Sequence, residues 1–303
     1  MEEILSKKHY RRSFYSTISL LLICALTWRY YAIPSIDTKT AISGTQFSAI
    51  LLENLIISLI VTILIGSFIF WLRPEIIKKS AMEVIEPREI NPLLKEATHD
   101  TKSWIYKGAC GRYTRATTLP KLADAARNES LGRDIRIYLL NPQNTRLCEE
   151  YATYRRSLKS SSGDDWSCQK VQEEVIATAI CAMKYKKVEP LLGISIFFVD
   201  HFSAFRLDIS DKYVVVTKED KSAAALKADV GTYFYNSYKD DVRLTERQAR
   251  KLECCGNVSI TRNLTADDID KFLDCSQIVD ASIKSTLDLD KIHNLINSPE
   301  DPY

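Results

Sequence analysis

The sequence lacks the short patterns that mark most soluble enzymes. It has no C-x-x-C pair. Its eight cysteines stand apart as Cys24, Cys110, Cys148, Cys168, Cys181, Cys254, Cys255 and Cys275, a spacing that suits neither a disulfide framework nor a zinc site. In the cytoplasm such thiols are kept reduced, and the adjacent Cys254 and Cys255 read as small buried apolar residues. A Walker-type loop and a dinucleotide fingerprint are both missing, which removes the phosphate-binding turns that specify those folds. The four histidines, His9, His99, His201 and His293, sit in no Ser-His-Asp set and no metal-ligand cluster, so neither a metal nor a cofactor is expected. Charge of one sign is lacking as well. Forty-one Lys and Arg against 39 Asp and Glu leave +2, and electrostatics alone predicts no nucleic-acid binder. Repeats are absent, and only Ser160–Gly163 is low in complexity.

What is present begins with two apolar runs, Tyr15–Ile33 and Phe47–Leu72. The second, about 39 Å long as a helix, is enough to cross a ~30 Å hydrocarbon core with some tilt. The first approaches the length of a span. It has no small-x-small cleavage site and ends in Trp28-Arg29-Tyr30-Tyr31, which argues against a cleaved signal peptide. Lys7, Lys8, Arg11 and Arg12 precede the first run, and Arg73, Lys78 and Lys79 follow the second. Between them, Pro34 to Gln46 holds only Lys39, offset by Asp37. The positive-inside rule then places both termini in the cytoplasm, with Trp28, Tyr30 and Tyr31 at the outer interface and Trp71 at the inner one. The expectation is a multi-pass protein of the inner (cell) membrane, with a membrane domain over residues 1–72 whose spans are 15–33 and 47–72.

Residues 73–102 read as a connecting segment broken by Pro74, Pro87 and Pro92, either a solvated linker or a stiff coupling element. From residue 103 to 303 the pattern alternates. Strands are expected at Trp104–Tyr106, Asp134–Leu140, Leu192–Val199, Phe205–Ile209 and Lys212–Thr217. Helices are expected at Leu119–Asn128, Thr145–Leu158, Ser167–Tyr185 and Thr232–Glu253, with two short ones after them. Strands separated by helices, followed by a strand cluster, predict an α/β domain of about 200 residues, large enough for its own core.

The order strand, glycine turn, basic residues, helix and then Arg-Asp-Ile-Arg-Ile-Tyr-Leu-Leu-Asn-Pro resembles the opening half of a phospholipase D-like unit. The run Phe202–Thr217 is similar to the strand pair that carries that superfamily's H-x-K-x4-D motif. The likeness covers roughly 103–253, as a pattern of elements with few identities. Joined to the two expected spans, it gives the expected fold class: two N-terminal transmembrane α-helices followed by a cytosolic α/β phospholipase D-like domain. With Asp211 as the motif aspartate, the histidine position is Ala204 and the lysine position Arg206. Alanine cannot attack phosphorus, so the resemblance implies a catalytically degenerate unit that keeps a phosphate-binding cation at Arg206. No catalytic residue is expected. A bulged alignment that restores His201 would instead give a membrane-tethered phosphodiesterase or nuclease.

Lys107, Arg112 and Arg115 surround the turn Gly108-Ala-Cys-Gly111 at the end of the first strand of this unit, where open α/β sheets collect ligands. Arg206 can converge on the same cleft, with Tyr113 as a stacking surface for a base. Guanidinium groups hold phosphate through paired hydrogen bonds, so the set suits a nucleotide or oligonucleotide. The plain alternative is a set of solvated surface cations. In the second run Asn54, Ser58, Thr62 and Gly66 recur every four residues along one helix face, with Glu53 beside them. Such stripes commonly pack helices, whereas an intramembrane carboxylate points to a polar lumen in an oligomer.

Together these features resemble the membrane-acting effectors of bacterial anti-phage systems, in which a nucleotide or short oligonucleotide signal controls a pore. The partners so implied are the lipid bilayer, the signal, further copies of the chain in a homo-oligomer (a tetramer favoured) and a nucleotidyltransferase encoded nearby. A membrane-anchored scaffold is the remaining alternative.

Overall fold

The computed structural model describes residues 8–28, 31, 42–71, 80–158, 165–220, 222–253 and 264–302. The chain divides into two compact units, Met1–Lys78 and Lys79–Tyr303.

The first unit holds α1 (Lys8–Thr27) and α2 (Ile42–Trp71), which pack on each other. Hydroxyls inside the helices are satisfied locally: Thr27 Oγ1 donates to the Ile23 carbonyl at 2.7 Å and Thr62 Oγ1 to that of Ser58 at 2.8 Å, the usual back-bonding of Thr in a helix. Among the described residues one helical stretch, Ile50–Phe68, is long and apolar enough to cross a membrane. The apolar part of α1 is Ser16–Thr27, about 18 Å of helix against a ~30 Å hydrocarbon core. The two-span expectation is thereby corrected. The expected span runs to Ile33, of which 29–30 and 32–33 lie outside the described residues, whereas α1 is bounded at Thr27 and its first turns carry the basic residues from Lys8 to Arg12. The loop expected over 34–46 lies outside the described residues up to 41, and α2 takes in 42–46. The basic residues expected after the second run also lie outside them.

The second unit is built on one mixed sheet of eight strands, β1 (Glu83–Ile85), β2 (Ser103–Lys107), β3 (Arg133–Leu140), β4 (Leu192–Val199), β5 (Phe205–Ile209), β6 (Tyr213–Lys218), β7 (Ala225–Asp229) and β8 (Arg250–Lys251), in the order β1-β7-β6-β5-β2-β3-β4-β8. Strands β2, β3 and β4 are parallel, and every other pairing is antiparallel. The central β3 ends in four consecutive buried residues, Ile137–Leu140, as a strand covered on both faces requires. One face carries Ile105, Tyr138, Phe197, Leu207 and Val214 beneath α7 (Tyr233–Gln248). The larger core on the opposite face includes Trp104, Tyr106, Ile135, Ile137 and Leu139. It involves α3 (Pro87–Ala97), α4 (Leu119–Glu129), α5 (Thr145–Arg156), α6 (Cys168–Val188), α8 (Ala266–Ser276) and α10 (Leu289–Asn297). The short α9 (Ala281–Lys284) links the last two. Helix α6 is buried all round from Val171 to Met183, the mark of a helix inside a core rather than on its surface. Asn144, Ser167, Thr232, Thr265, Asp280 and Asp288 each accept a backbone N–H at the start of a helix, which fixes where those helices begin.

Most expected elements are found within a few residues of their predicted ends. Part of the segment assigned to coupling, 73–102, belongs to the α/β unit instead: β1 pairs with β7, and α3 buries Ile90, Leu94 and Ala97. The helix expected to run to Glu253 ends at Gln248, because Ala249 is extended (ψ 146°) and β8 then pairs with β4. The expectation of uniformly reduced cysteines is also corrected. Cys275 is disulfide-bonded, while Cys24, Cys110, Cys148, Cys168 and Cys181 are free. The fold is thus a helical unit with one potential span and an α/β unit on a mixed eight-stranded sheet. It replaces the two-span, phospholipase D-like arrangement read from the sequence.

Candidate ligand cavity

At the C-terminal end of β2 the chain turns sharply through Gly108–Gly111. The Gly108 N–H donates to the Tyr138 carbonyl at 3.2 Å and the Gly111 N–H to the Tyr106 hydroxyl at 3.0 Å. A Cβ on Gly108 would stand 2.7 Å from Tyr106 Cζ and 3.1 Å from Arg206 Cγ. Gly111 has φ +69°, and a Cβ there would meet Thr178 Cγ2 at 2.7 Å and Leu139 Cδ2 at 2.9 Å. Gly111→Ala therefore combines left-handed strain with overpacking of the core. The expected cost is about 2–4 kcal/mol in urea unfolding of the purified protein, and an unchanged midpoint would contradict it.

The turn borders a cavity of about 290 Å³. Tyr106, Cys110 and Tyr151 line its buried side, Arg112, Tyr113, Arg155 and Arg206 its walls, and Lys218, Glu219 and Asp220 lie at the end of β6 and just beyond it. Each arginine is held in place. The Arg155 guanidinium lies 4.6 Å from the Trp166 ring centroid and that of Arg112 lies 5.8 Å away, both within cation–π range. Arg155 Nη1 donates to the Glu219 carbonyl and carboxylate, both at 2.9 Å, and the Tyr151 hydroxyl donates to the same carboxylate. Arg112 Nε is 3.4 Å from Glu174 Oε1. Arg206 stacks 5.3 Å from the centroid of Tyr113 and donates from Nε to Asp208 Oδ2 at 2.7 Å. The Tyr113 hydroxyl in turn donates to Asn91 of α3 at 3.0 Å.

The electrostatics follow from burial. Tyr106 and Tyr151 are pushed well above the usual phenol range by desolvation first and by the Glu219 charge second. Both keep their protons and offer neutral hydroxyls. Burial, again with Glu219 adding to it, raises the Cys110 thiol in the same way, so it is not an activated nucleophile. Asp208 is raised by desolvation, with Arg206 pulling the other way.

Of the residues assigned to the ligand from sequence, Arg112, Tyr113 and Arg206 line the cavity and Lys107 and Arg115 do not. Lys107 points to the α7 face, where its Nζ reaches Asp241 Oδ2 and Thr245 Oγ1, both at 2.8 Å. Arg115 is only 2% exposed. Its guanidinium is spent on Glu174 Oε2 at 2.6 Å, the Glu174 carbonyl at 3.0 Å and Thr178 Oγ1 at 2.9 Å. Arg155, Lys218, Tyr106 and Tyr151 were missed. Tyr151 and Arg155 are four residues apart on α5 and so share a face, a signal that was available.

Asp211, the residue aligned with the motif aspartate, lies away from the cavity. Its Oδ2 accepts the N–H groups of Lys102 at 2.6 Å and Ser103 at 3.1 Å, at the start of β2 rather than its end. Neither His201 nor any other histidine is among the residues lining the cavity. Among the described residues no group of three or more His, Cys, Asp or Glu could hold a metal ion. In α2, Glu53, Asn54 and Ser58 are exposed, Thr62 is half-buried and Gly66 is buried.

No family model matches the chain, and no curated protein matches it. Among solved structures it is similar to TrmBL2, an archaeal chromatin protein described as showing a novel mode of DNA binding. That likeness has 13% identity over 68% of this chain and 67% of the other, with a TM-score of 0.33, too low to carry an argument about fold or function.

Proposed function

We propose that the chain is a ligand-regulated membrane effector whose α/β unit binds a phosphate-bearing ligand, a nucleotide or short oligonucleotide, without cleaving it. One observation carries the reading: Arg112, Arg155 and Arg206 converge with Tyr106, Tyr113 and Tyr151 on a single cavity. Guanidinium forks suit phosphate, and about 290 Å³ is near the lower end of small-ligand sites. The absence of a histidine from the lining favours binding over hydrolysis through a phosphohistidine.

The stretch Ile50–Phe68 inserts in the cell membrane, and the cations Arg73, Lys78 and Lys79 after it put the α/β unit in the cytoplasm. The Cys275 disulfide runs against that side, since cytosolic thiols are mostly reduced. The cation flank outweighs it because it acts on insertion of the span itself. A single span encloses nothing, so a pore requires a homo-oligomer, a tetramer being the favoured form, with the exposed Glu53, Asn54 and Ser58 toward its lumen. A bacterial anti-phage setting, with a nucleotidyltransferase supplying the signal, fits such a design.

The test uses the full chain in lipid nanodiscs, titrated calorimetrically with ATP and with a dinucleotide. Binding of either is expected. Arg112→Ala and Arg155→Ala should each weaken it about 10- to 150-fold, the worth of a charge-assisted hydrogen bond. Glu53→Ala should leave affinity unchanged and abolish membrane depolarisation in cells. Absence of binding, or arginine variants that bind like wild type, would overturn the reading. Cleavage of the dinucleotide would replace it with a tethered phosphodiesterase.

A further inference from the structure

The cavity's mouth carries two carboxylates from a distant part of the sequence. Beyond α10 the chain runs through Glu300, Asp301 and Pro302, all three of which line the cavity. Without them the lining holds four cations, Arg112, Arg155, Arg206 and Lys218, against the two acids Glu219 and Asp220. With them the charges are even. We infer that the 300–302 segment is a built-in competitor, an acidic strap that occupies the anion site and must be displaced when a phosphate-bearing ligand enters.

The attachment of the strap supports this. Its base is firm, because α10 buries Ile292 and Ile296 in the core. At the rim, Asp301 Oδ2 accepts a hydrogen bond from Thr117 Oγ1 at 3.1 Å and stands 3.6 Å from Lys95 Nζ. The Asp301 side chain is 34% exposed and that of Lys95 39%, and ion pairs so exposed hold weakly. A tethered group is present at high effective concentration and still yields to a ligand of greater charge. A carboxylate supplies one negative charge where a triphosphate supplies several, so the cavity prefers the phosphate-bearing ligand once it is present, and weak or singly charged anions fail to open it.

The inference rests on the anion-binding reading of the cavity, and the experiment separates the two. ATP affinity is measured in low salt on the full chain for three variants. Glu300→Gln/Asp301→Asn removes the strap's charge. Thr117→Val removes its rim hydrogen bond and leaves all charges in place. Asp267→Asn/Asp290→Asn changes net charge equally at acids that do not line the cavity. The first should bind roughly 3- to 30-fold more tightly, the range two exposed charges supply, with the gain shrinking in high salt. The second should also tighten binding, and the third should match wild type. If wild type binds ATP and the first two variants bind no better, the strap is overturned and the cavity reading stands. A gain in the third variant as large as in the first also overturns it, as a mere net-charge effect. If no form binds ATP, both readings fall together.

Discussion

Replacing Arg115 with leucine lowers the stability of the α/β unit by about 3–5 kcal/mol, because it leaves the buried Glu174 carboxylate short of its main partner. The Glu174 side chain is 5% exposed, and its remaining cation, Arg112, is the more distant one at 3.4 Å. Three hydrogen bonds are lost in the same stroke, those from the guanidinium to the Glu174 carboxylate, the Glu174 carbonyl and Thr178 Oγ1. Removing the stranded charge should restore much of the loss, so Arg115→Leu/Glu174→Leu is expected to be clearly more stable than Arg115→Leu alone. Urea unfolding of wild type, Arg115→Leu, Glu174→Leu and the double variant measures this coupling. ATP affinity of the folded Arg115→Leu fraction should stay near that of wild type, since Arg115 does not line the cavity. A stable single variant that has lost ATP binding would return Arg115 to the ligand site.

The misplacement of Arg115 shows where sequence reading stops. Arg112, Tyr113 and Arg115 are nearly adjacent, and proximity to a glycine turn cannot say which side chain faces inward. The chain passes there through a wide π-helical turn, Thr114–Thr118, whose side-chain directions follow neither the strand period nor the usual helical one. Lys107 was legible. Trp104 and Tyr106 share one face of β2, so a strand period of two sends Ile105 and Lys107 to the other, toward α7. Strands β3, β4 and β6 were readable because their apolar runs are long and bounded, and β5 because apolar and charged residues alternate along it. The three-residue β1 and two-residue β8 were not, since strands that short gain their pairing from the sheet edge they meet rather than from their own pattern. Arg155, Lys218 and the acids at 300–301 converge from elements far apart in sequence, and only the sheet order brings them together. The first run differs for another reason: its apolar stretch among the described residues, Ser16–Thr27, is shorter than a span, and 29–30 and 32–33 lie outside the described residues.

Arg206→Met should be costly in a way that depends on pH. Arg206 and Asp208 alternate with Leu207 along β5, so both project to the cavity side of the sheet, and the Asp208 side chain is fully buried. Deleting the cation leaves a buried carboxylate without its ion-pair partner, at a cost of about 3–5 kcal/mol near neutral pH. Burial already raises the Asp208 pKa in wild type, with Arg206 restraining the rise, and in the variant that restraint is gone. A carboxyl whose pKa is higher folded than unfolded contributes stability below its unfolded value, 3.8 for a free aspartate. That contribution is lost as pH climbs through the folded value. The variant therefore loses more, and loses it over a wider range above 3.8, than wild type does. Urea unfolding at pH 5 and pH 8 should show the gap between the two proteins widening toward pH 8. A gap that is constant, or that widens toward acid, would mean that Asp208 is not the stranded charge. Arg206→Met/Asp208→Leu should regain most of the stability at pH 8 while binding ATP at least tenfold more weakly than wild type, for a lost charge-assisted contact. That pairing of recovered fold and lost affinity separates the structural role of Arg206 from its proposed role at the phosphate.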